Sequence, residues 1–194
     1  MTTAGISAIV LAGGRSSRFG RDKLAEPVDG RPLLHHAIDA VRPIAAEIIV
    51  VAAPDASPAL PPGVTLVHDA VAFEGPLAGL LAGLAATSSP TVLVVGGDMP
   101  ALSMEVLGSM VALLTEWDAS AVVLEDGGRG RPLPMALRRE PGLTTGASLF
   151  AEGERRLRGL ADALSAAVLP EAAWRALDPD GETLRDIDTE ADLA

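Results

Sequence analysis

Three stretches of this chain, at positions 6–11, 48–52 and 91–95, are apolar almost without interruption and rich in Val and Ile. A strand with one face in water alternates apolar and polar residues, so unbroken runs of this kind imply strands covered on both faces. Strands are expected at Ile6–Leu11, Glu47–Ala52, Thr65–Val67, Thr91–Val95, Ala119–Leu124 and Leu133–Ala136. Between them, helical patterns fall at Pro32–Val41, Pro76–Ala86, Ser103–Thr115, Leu143–Phe150 and Glu154–Ala163. Strands alternating with helices imply right-handed βαβ crossovers and parallel pairing. The expected fold is α/β: a three-layer α/β/α sandwich around a mostly parallel, Rossmann-like central sheet.

Finer signals fit this frame. Ser103 is placed to cap a helix whose apolar face is Val106, Met110, Leu113 and Leu114. Asp126-Gly127-Gly128 is a hairpin signal between two strand-like runs. Pro54–Gly63 reads as a surface loop. The 194 residues suit one domain spanning 1–194. Aromatic residues are only 3%, so the core is expected to consist of Ala, Val, Leu and Ile. No run is long enough to span a membrane, and positions 6–12 are too short for the apolar core of a leader. The expectation is a cytoplasmic protein.

Composition excludes several chemistries. With no cysteine there is no thiolate nucleophile and no Cys-based zinc site. His35, His36 and His68 form no H-x-x-x-H pair. The net charge of −11 disfavours nucleic acid and anionic membranes as partners. Any anion site must be local, and Arg15, Arg18, Arg21 and Lys23 fall within nine positions just after the first strand.

Four constellations carry chemistry. The first is the run at 11–23, Leu-Ala-Gly-Gly-Arg-Ser-Ser-Arg-Phe-Gly-Arg-Asp-Lys. It matches neither a Walker A loop nor G-x-G-x-x-G. Gly13 and Gly14 remove the Cβ atoms that would keep backbone N–H groups from a phosphate. Arg15, Arg18 and Lys23 can neutralise a triphosphate. Lys23 is the only lysine beside fourteen arginines: either a compositional bias spared one lysine, or the position needs a compact ammonium. The second is Gly96-Gly97-Asp98-Met99-Pro100, at the carboxyl end of an apolar strand, where open parallel sheets bind ligands. Asp98 is there either as a turn residue or to hold a magnesium ion bridging phosphate oxygens.

The third is His68-Asp69, followed by Glu74-Gly75-Pro76-Leu77-Ala78-Gly79. Asp69 could accept the N–H groups of a guanine edge, with Gly75 and Gly79 bringing a helix close to the base, or it could sit in a solvated turn. The fourth is the acidic C-terminus, where Asp186 and Asp188 serve either as capping acids or as metal or substrate contacts. Arg129, Arg131, Arg138, Arg155, Arg156 and Arg158 form a second basic set. Arg155 and Arg156, after Gly153, either receive the phosphate of a second substrate or lie on a solvated helix face.

These residues resemble the MobA family of molybdenum cofactor guanylyltransferases, in the nucleotidyltransferase-A superfamily. The resemblance rests on LAGGRSSRFGRDK at 11–23, GRPLL at 30–34, HD at 68–69, EGPLAGL at 74–80, GGDMP at 96–100, GERRL at 153–157 and DIDTEADL at 186–193. It implies that Leu11, Ala12 and Gly13 line the nucleotide and that Lys23 binds phosphate. It further implies that Asp69 reads guanine, Asp98 holds magnesium and the C-terminal motif faces the pterin. The implied partners are GTP and molybdopterin or molybdenum cofactor, with transient contact to molybdoenzymes or their chaperones. Two stretches depart from the family pattern: Val51-Ala52-Ala53-Pro54 lacks an asparagine that often helps read guanine, and the C-terminal motif, usually N-x-N-T or N-x-D-T, has acids at both positions, Asp186 and Asp188.

The expected reaction is attack of a terminal phosphate on the α-phosphorus of Mg·GTP, with pyrophosphate leaving. Asp98 would fix the metal, Lys23 and Arg18 would steady the β and γ phosphates, and the glycine loop would hold the α-phosphate. The rival readings are a cytidylyltransferase of the same superfamily, acting on molybdopterin or a sugar or polyol phosphate, and a non-catalytic GTP-binding adaptor.

Overall fold

Apolar residues at consecutive positions of the central strands point to opposite faces and fill two separate cores. Ala8, Val10, Ile48, Val50, Leu93 and Val95 belong to one, Ile9, Ile49, Val51, Val92 and Val94 to the other. The computed structural model describes residues 5–13, 23–69, 75–187, 189 and 192. Its strands are β1 (Ile6–Ala12), β2 (Pro27–Val28), β3 (Arg31–Pro32), β4 (Glu47–Ala52), β5 (Val64–His68), β6 (Thr91–Gly96), β7 (Ala121–Asp126), β8 (Arg129–Arg138) and β9 (Ala167–Leu169). Its helices are α1 (Leu33–Val41), α2 (Pro76–Ala86), α3 (Met104–Glu116), α4 (Arg139–Ala151), α5 (Leu157–Ala163) and α6 (Glu171–Trp174).

Seven strands form one sheet in the order β5-β4-β1-β6-β8-β7-β9. Within it β8 alone runs against its neighbours. Helices α1, α3 and α6 cover the first core; α2 and α5 cover the second, with α4 packed against them. This is the three-layer, mostly parallel α/β architecture expected. Each fully buried Ile or Leu of these strands contributes roughly 1.5–3 kcal/mol by leaving water. The core is mainly Ala, Val, Leu and Ile as expected, with Met99, Met110 and Met135 and one aromatic among them: Trp174 is wholly buried, and its Nε1–H donates to the Glu125 carbonyl at 2.9 Å.

Topology places the ligand end. From β1 the chain moves to β4 and β5 on one side, then returns to β6 on the other side of β1. The crevice beyond the carboxyl ends of β1 and β6 is thus the switch point of the sheet, where open α/β folds bind ligands.

Several boundaries differ from expectation for identifiable reasons. Helix α4 begins at Arg139, ahead of Pro141-Gly142. Proline costs nothing in a first turn, whose N–H groups lack intrahelical partners, and Gly142 is needed because a Cβ would lie 2.6 Å from Leu137 Cδ2. Helix α5 begins at Leu157, because Glu154 turns its carboxylate back onto the Arg155 and Arg156 N–H groups. Strand β8 is longer than the run 133–136. Its register passes from Met135 opposite Val123 to Arg131 opposite Leu124, leaving Pro132, Leu133 and Pro134 outside the ladder, as suits the two prolines, which have no N–H to donate. The ribbon β2–β3 turns at Asp29-Gly30, both at positive φ, and β9 is too short for its period to show. The hairpin at Gly127-Gly128 is as expected, with both glycines at positive φ. Ser103 caps α3, its hydroxyl accepting from the Val106 N–H.

Candidate functional site

Lys23 and Asp98, 75 positions apart, meet at the switch point: Lys23 Nζ lies 2.9 Å from Asp98 Oδ2. The loop after β6 explains how the carboxylate is aimed. A Cβ at Gly96 would lie 2.5 Å from Asp98 Oδ1, and one at Gly97 would crowd Leu34 and the Leu11 carbonyl. Glycine at both positions lets the loop fold back over the end of β6. The Gly97 N–H donates to the Leu11 carbonyl at 3.0 Å, tying this loop to the end of β1. Lys23 opens a 3₁₀ turn, Lys23–Ala25, and the next residue, Leu24, packs beside buried Leu33 and Ile187.

Leu11 and Ala12 close β1 and Gly13 follows them. A Cβ at Gly13 would meet nothing within 4 Å among the described residues, so internal packing there does not demand glycine. Gly14, Arg15, Arg18 and Asp188 lie outside the described residues. Asp69 follows β5, at the same end of the sheet, and its N–H donates to the Ala52 carbonyl at 2.9 Å.

Gly75 has a different neighbour from the one expected. It precedes α2 at φ +92°, and a Cβ there would lie 2.7 Å from the Arg155 carbonyl oxygen. That carbonyl in turn accepts the Leu77 N–H. Gly75 is therefore required by the protein's own chain. Gly79 lies against Leu11 and Val51 at ordinary contact distance, turned to the sheet.

The second basic set divides. The Arg155 guanidinium lies over the Phe150 ring at 4.0 Å and donates to the Phe150 and Glu154 carbonyls, stitching the turn after α4. Arg138 donates to the Ala119 and Leu114 carbonyls, also a structural task. Arg156 is exposed and pairs with Glu154. Glu154 is held far down, to about 2, by the Arg156 and Arg155 N–H groups and then the Arg156 side chain. A carboxylate lowered on folding stabilises above its unfolded value of about 4.5 and loses that contribution as pH falls toward 2. Urea denaturation of wild type and Glu154→Gln should show a constant stability gap from pH 7 to 5 that closes near pH 2–3 (about). A gap unchanged at low pH would contradict the capping role.

The C-terminal segment reaches the same place as Asp98. Asp178 accepts from the Thr183 and Glu182 N–H groups, the buried Thr183 hydroxyl accepts from the Ser103 N–H, and Leu184 enters the core. Burial opposes ionisation of Asp178, but these donors, with the Thr183 hydroxyl and the Gly181 N–H, hold it below the usual carboxylate range. Beyond this anchor Ile187 is buried against Leu33, Leu24 and Val28, and its N–H donates to the Asp98 carbonyl at 3.0 Å. Asp186 pairs with Arg131. The Thr189 N–H and hydroxyl both donate to Asp192, a capping arrangement of the kind expected there.

Sequence reasoning missed the tie from Ile187 to Asp98, and it assigned no role to the Arg131–Asp186 pair; neither leaves a local pattern. The three histidines each bond a backbone carbonyl: His35 that of Ala59, His36 that of Val28 and His68 that of Ala56. They fasten loops. Among the described residues no helix is long and apolar enough to cross a membrane.

An open sheet with its charged groups gathered at the switch point puts this chain in the class of nucleotide-binding α/β proteins. Solved structures that share the fold include the following two. The molybdopterin-guanine dinucleotide biosynthesis protein A of Archaeoglobus fulgidus superposes with a TM-score of 0.79 at 19% identity, over 96% of this chain and 94% of that one. The 2-C-methyl-D-erythritol 4-phosphate cytidylyltransferase of Thermus thermophilus superposes with a TM-score of 0.68 at 22% identity, over 95% and 94%. Residues 8–168 match the family model of the MobA-like NTP transferase domain, and the chain belongs to that family. It is 34% identical over 197 residues to a probable molybdenum cofactor guanylyltransferase of Chloroflexus aggregans, covering 97% of this chain and 91% of the relative. A molybdenum cofactor guanylyltransferase of Shewanella halifaxensis is 33% identical over 158 residues, covering 80% and 78%.

Proposed function

We propose that this single nucleotidyltransferase domain transfers GMP from GTP to the terminal phosphate of molybdopterin or its molybdenum-loaded form, making molybdopterin guanine dinucleotide. An oxygen of that phosphate attacks the α-phosphorus, the α–β bridging bond breaks, and pyrophosphate leaves. The observation that carries this reading is the convergence of Lys23 and Asp98 at the switch point of a sheet from this family. The phosphate monoester is already an anionic nucleophile, so the protein need not supply a general base. Its task is to position two anions and offset their repulsion.

Magnesium suits the residues present. Asp98 offers a hard oxygen donor whose side chain is 33% exposed, and no cluster of three or more acidic or imidazole groups occurs among the described residues. Magnesium keeps several waters and is bound by one or two carboxylates together with substrate phosphates, rather than by a protein cage. Asp98 would hold it, and the ion would supply positive charge to offset that of the phosphates. Lys23 gives up Asp98 Oδ2 when the triphosphate arrives and takes phosphate oxygens instead, and Arg18 shares the task of steadying the β and γ phosphates. Leu11, Ala12 and Gly13, with Gly14 and Arg15, line the nucleotide, and Asp69 accepts from the guanine edge. Asp186 and Asp188, with Arg156, border the second substrate; Arg155 acts through the turn it braces. Hand-over of the product to a molybdoenzyme or its chaperone, in the cytoplasm, is the partner step this reading implies.

The test is thermal stabilisation by each of the four NTPs, with magnesium and with EDTA. A ligand at a hundred times its dissociation constant adds about 2.7 kcal/mol. Magnesium-dependent stabilisation by GTP alone is expected. Stronger stabilisation by CTP would transfer the assignment to the cytidylyl branch, and no response to any nucleotide would overturn the reading.

A further inference from the structure

The loop 97–103 joins β6 to α3 and carries Asp98. Its start is tied to β1 by the Gly97 N–H, and Met99 and Leu102 sink into the first core. A segment from the far end of the chain fastens it at two further points. At one, the Ser103 N–H donates to the Thr183 hydroxyl at 3.0 Å, 80 positions away. At the other, the Ile187 N–H donates to the Asp98 carbonyl at 3.0 Å. Both fasteners are built into the interior. Thr183 is wholly buried, its N–H donates to Asp178 Oδ2 at 2.8 Å, and its hydroxyl donates to Asp178 as well. Ile187 is 2% exposed and joins Leu33 in a small core on which Leu24, the neighbour of Lys23, also packs. The Asp98 peptide and the turn that opens with Lys23 thus rest on one base.

We propose that residues 183–187 are a positioning clasp for the loop that holds the metal. Thr183 fixes the end of the loop through Ser103, and Ile187 fixes the Asp98 peptide itself, so the carboxylate keeps its aim beside Lys23 when the substrates arrive. Aim matters because a site that works by position and charge loses rate steeply with small displacements. Both residues act through the loop: the Thr183 hydroxyl is committed to Ser103 and Asp178, and the Ile187 side chain is apolar. The assignment rests on the reading that Asp98 binds the metal.

The quantity to measure is the factor by which magnesium tightens GTP binding, from calorimetric titrations of the full chain with magnesium and with EDTA. The ligand-free melting temperature is the control for folding. Thr183→Val keeps the shape of the side chain and removes the hydroxyl; it should cut that factor about fivefold, the weight of one neutral hydrogen bond. Thr183→Ser keeps the hydroxyl and should stay within about twofold of wild type. A purely structural threonine would lower the melting temperature of Thr183→Val and leave the magnesium factor at its wild-type value, which would overturn the proposal. Amide exchange in the wild-type protein gives a second reading that needs no variant. The Ser103 and Ile187 N–H groups should exchange about 10²-fold or more slowly than open-loop amides, and exchange of either at the open-loop rate would equally contradict the clasp. Asp98→Asn tests the reading beneath and should lose the magnesium factor altogether. If that variant keeps it, the metal assignment of Asp98 falls, and the clasp falls with it.

Discussion

Asp98→Ala should lower turnover at saturating Mg·GTP by about 10²–10³-fold, the loss typical of one electrostatic contact aimed at charge in the transition state. The substitution removes the one carboxylate of the switch-point loop and leaves the Lys23 ammonium, whose side chain is only 14% exposed, without its 2.9 Å partner. The second effect is the smaller one. The pair is partly solvated, so the unfolding free energy should drop by only about 1 kcal/mol. Turnover and stability thus separate: a folded protein with almost no activity is expected. Asp98→Asn keeps the shape and the loop hydrogen bonds but not the anionic donor, and should be nearly as inactive. Steady-state rates across a magnesium titration check both variants. An Asp98→Ala enzyme within a few-fold of wild type would remove Asp98 from the metal site.

Lys23→Arg should reduce kcat/KM about tenfold or more although the charge is kept, and Lys23→Met should cost roughly 10²-fold. The ammonium is a compact point charge that can leave Asp98 Oδ2 and settle on phosphate oxygens. A guanidinium is planar, longer, and pairs with a carboxylate through two arms, so it would hold Asp98 more firmly where the metal must go. Kinetics should show the loss in KM for GTP as well as in kcat, since the same side chain serves the ground-state and transition-state phosphates. Full activity in Lys23→Arg would mean that the lone lysine of this arginine-rich chain is a compositional accident.

The parts of the fold that follow from local pattern were legible before the structure. Strands β1, β4 and β6 announce themselves by unbroken apolar runs because each is covered on both faces. Helix α2 has the expected limits because Pro76 marks its first turn. Patterns mislead where a tertiary contact overrules a local preference. Pro141-Gly142 reads as a break, yet proline is tolerated in a first turn and Leu137 occupies the space a side chain at 142 would need. In the same way Gly75 reads as a glycine left bare for a ligand, whereas the Arg155 carbonyl fills the place of its Cβ. The candidate site was legible as separate pieces: the glycine loop, Lys23, Asp98 and the C-terminal acids. Its assembly was not. The contacts that join the pieces, Lys23 to Asp98, Ile187 to Asp98 and Arg131 to Asp186, span 55 to 89 positions and repeat with no period. Arg155 shows the same limit from the other side: by composition it belongs with the anion-binding cations, and by position it braces the turn beneath Gly75.

The most direct measurement is the product itself. The purified protein is incubated with Mg·GTP and molybdopterin, and the mixture is separated and weighed by mass spectrometry while pyrophosphate is counted. The account predicts one pyrophosphate for each molybdopterin guanine dinucleotide formed, and no product in EDTA or with Asp98→Ala. A cytosine dinucleotide formed from CTP in preference, or nucleotide binding with no dinucleotide from any NTP, would contradict it.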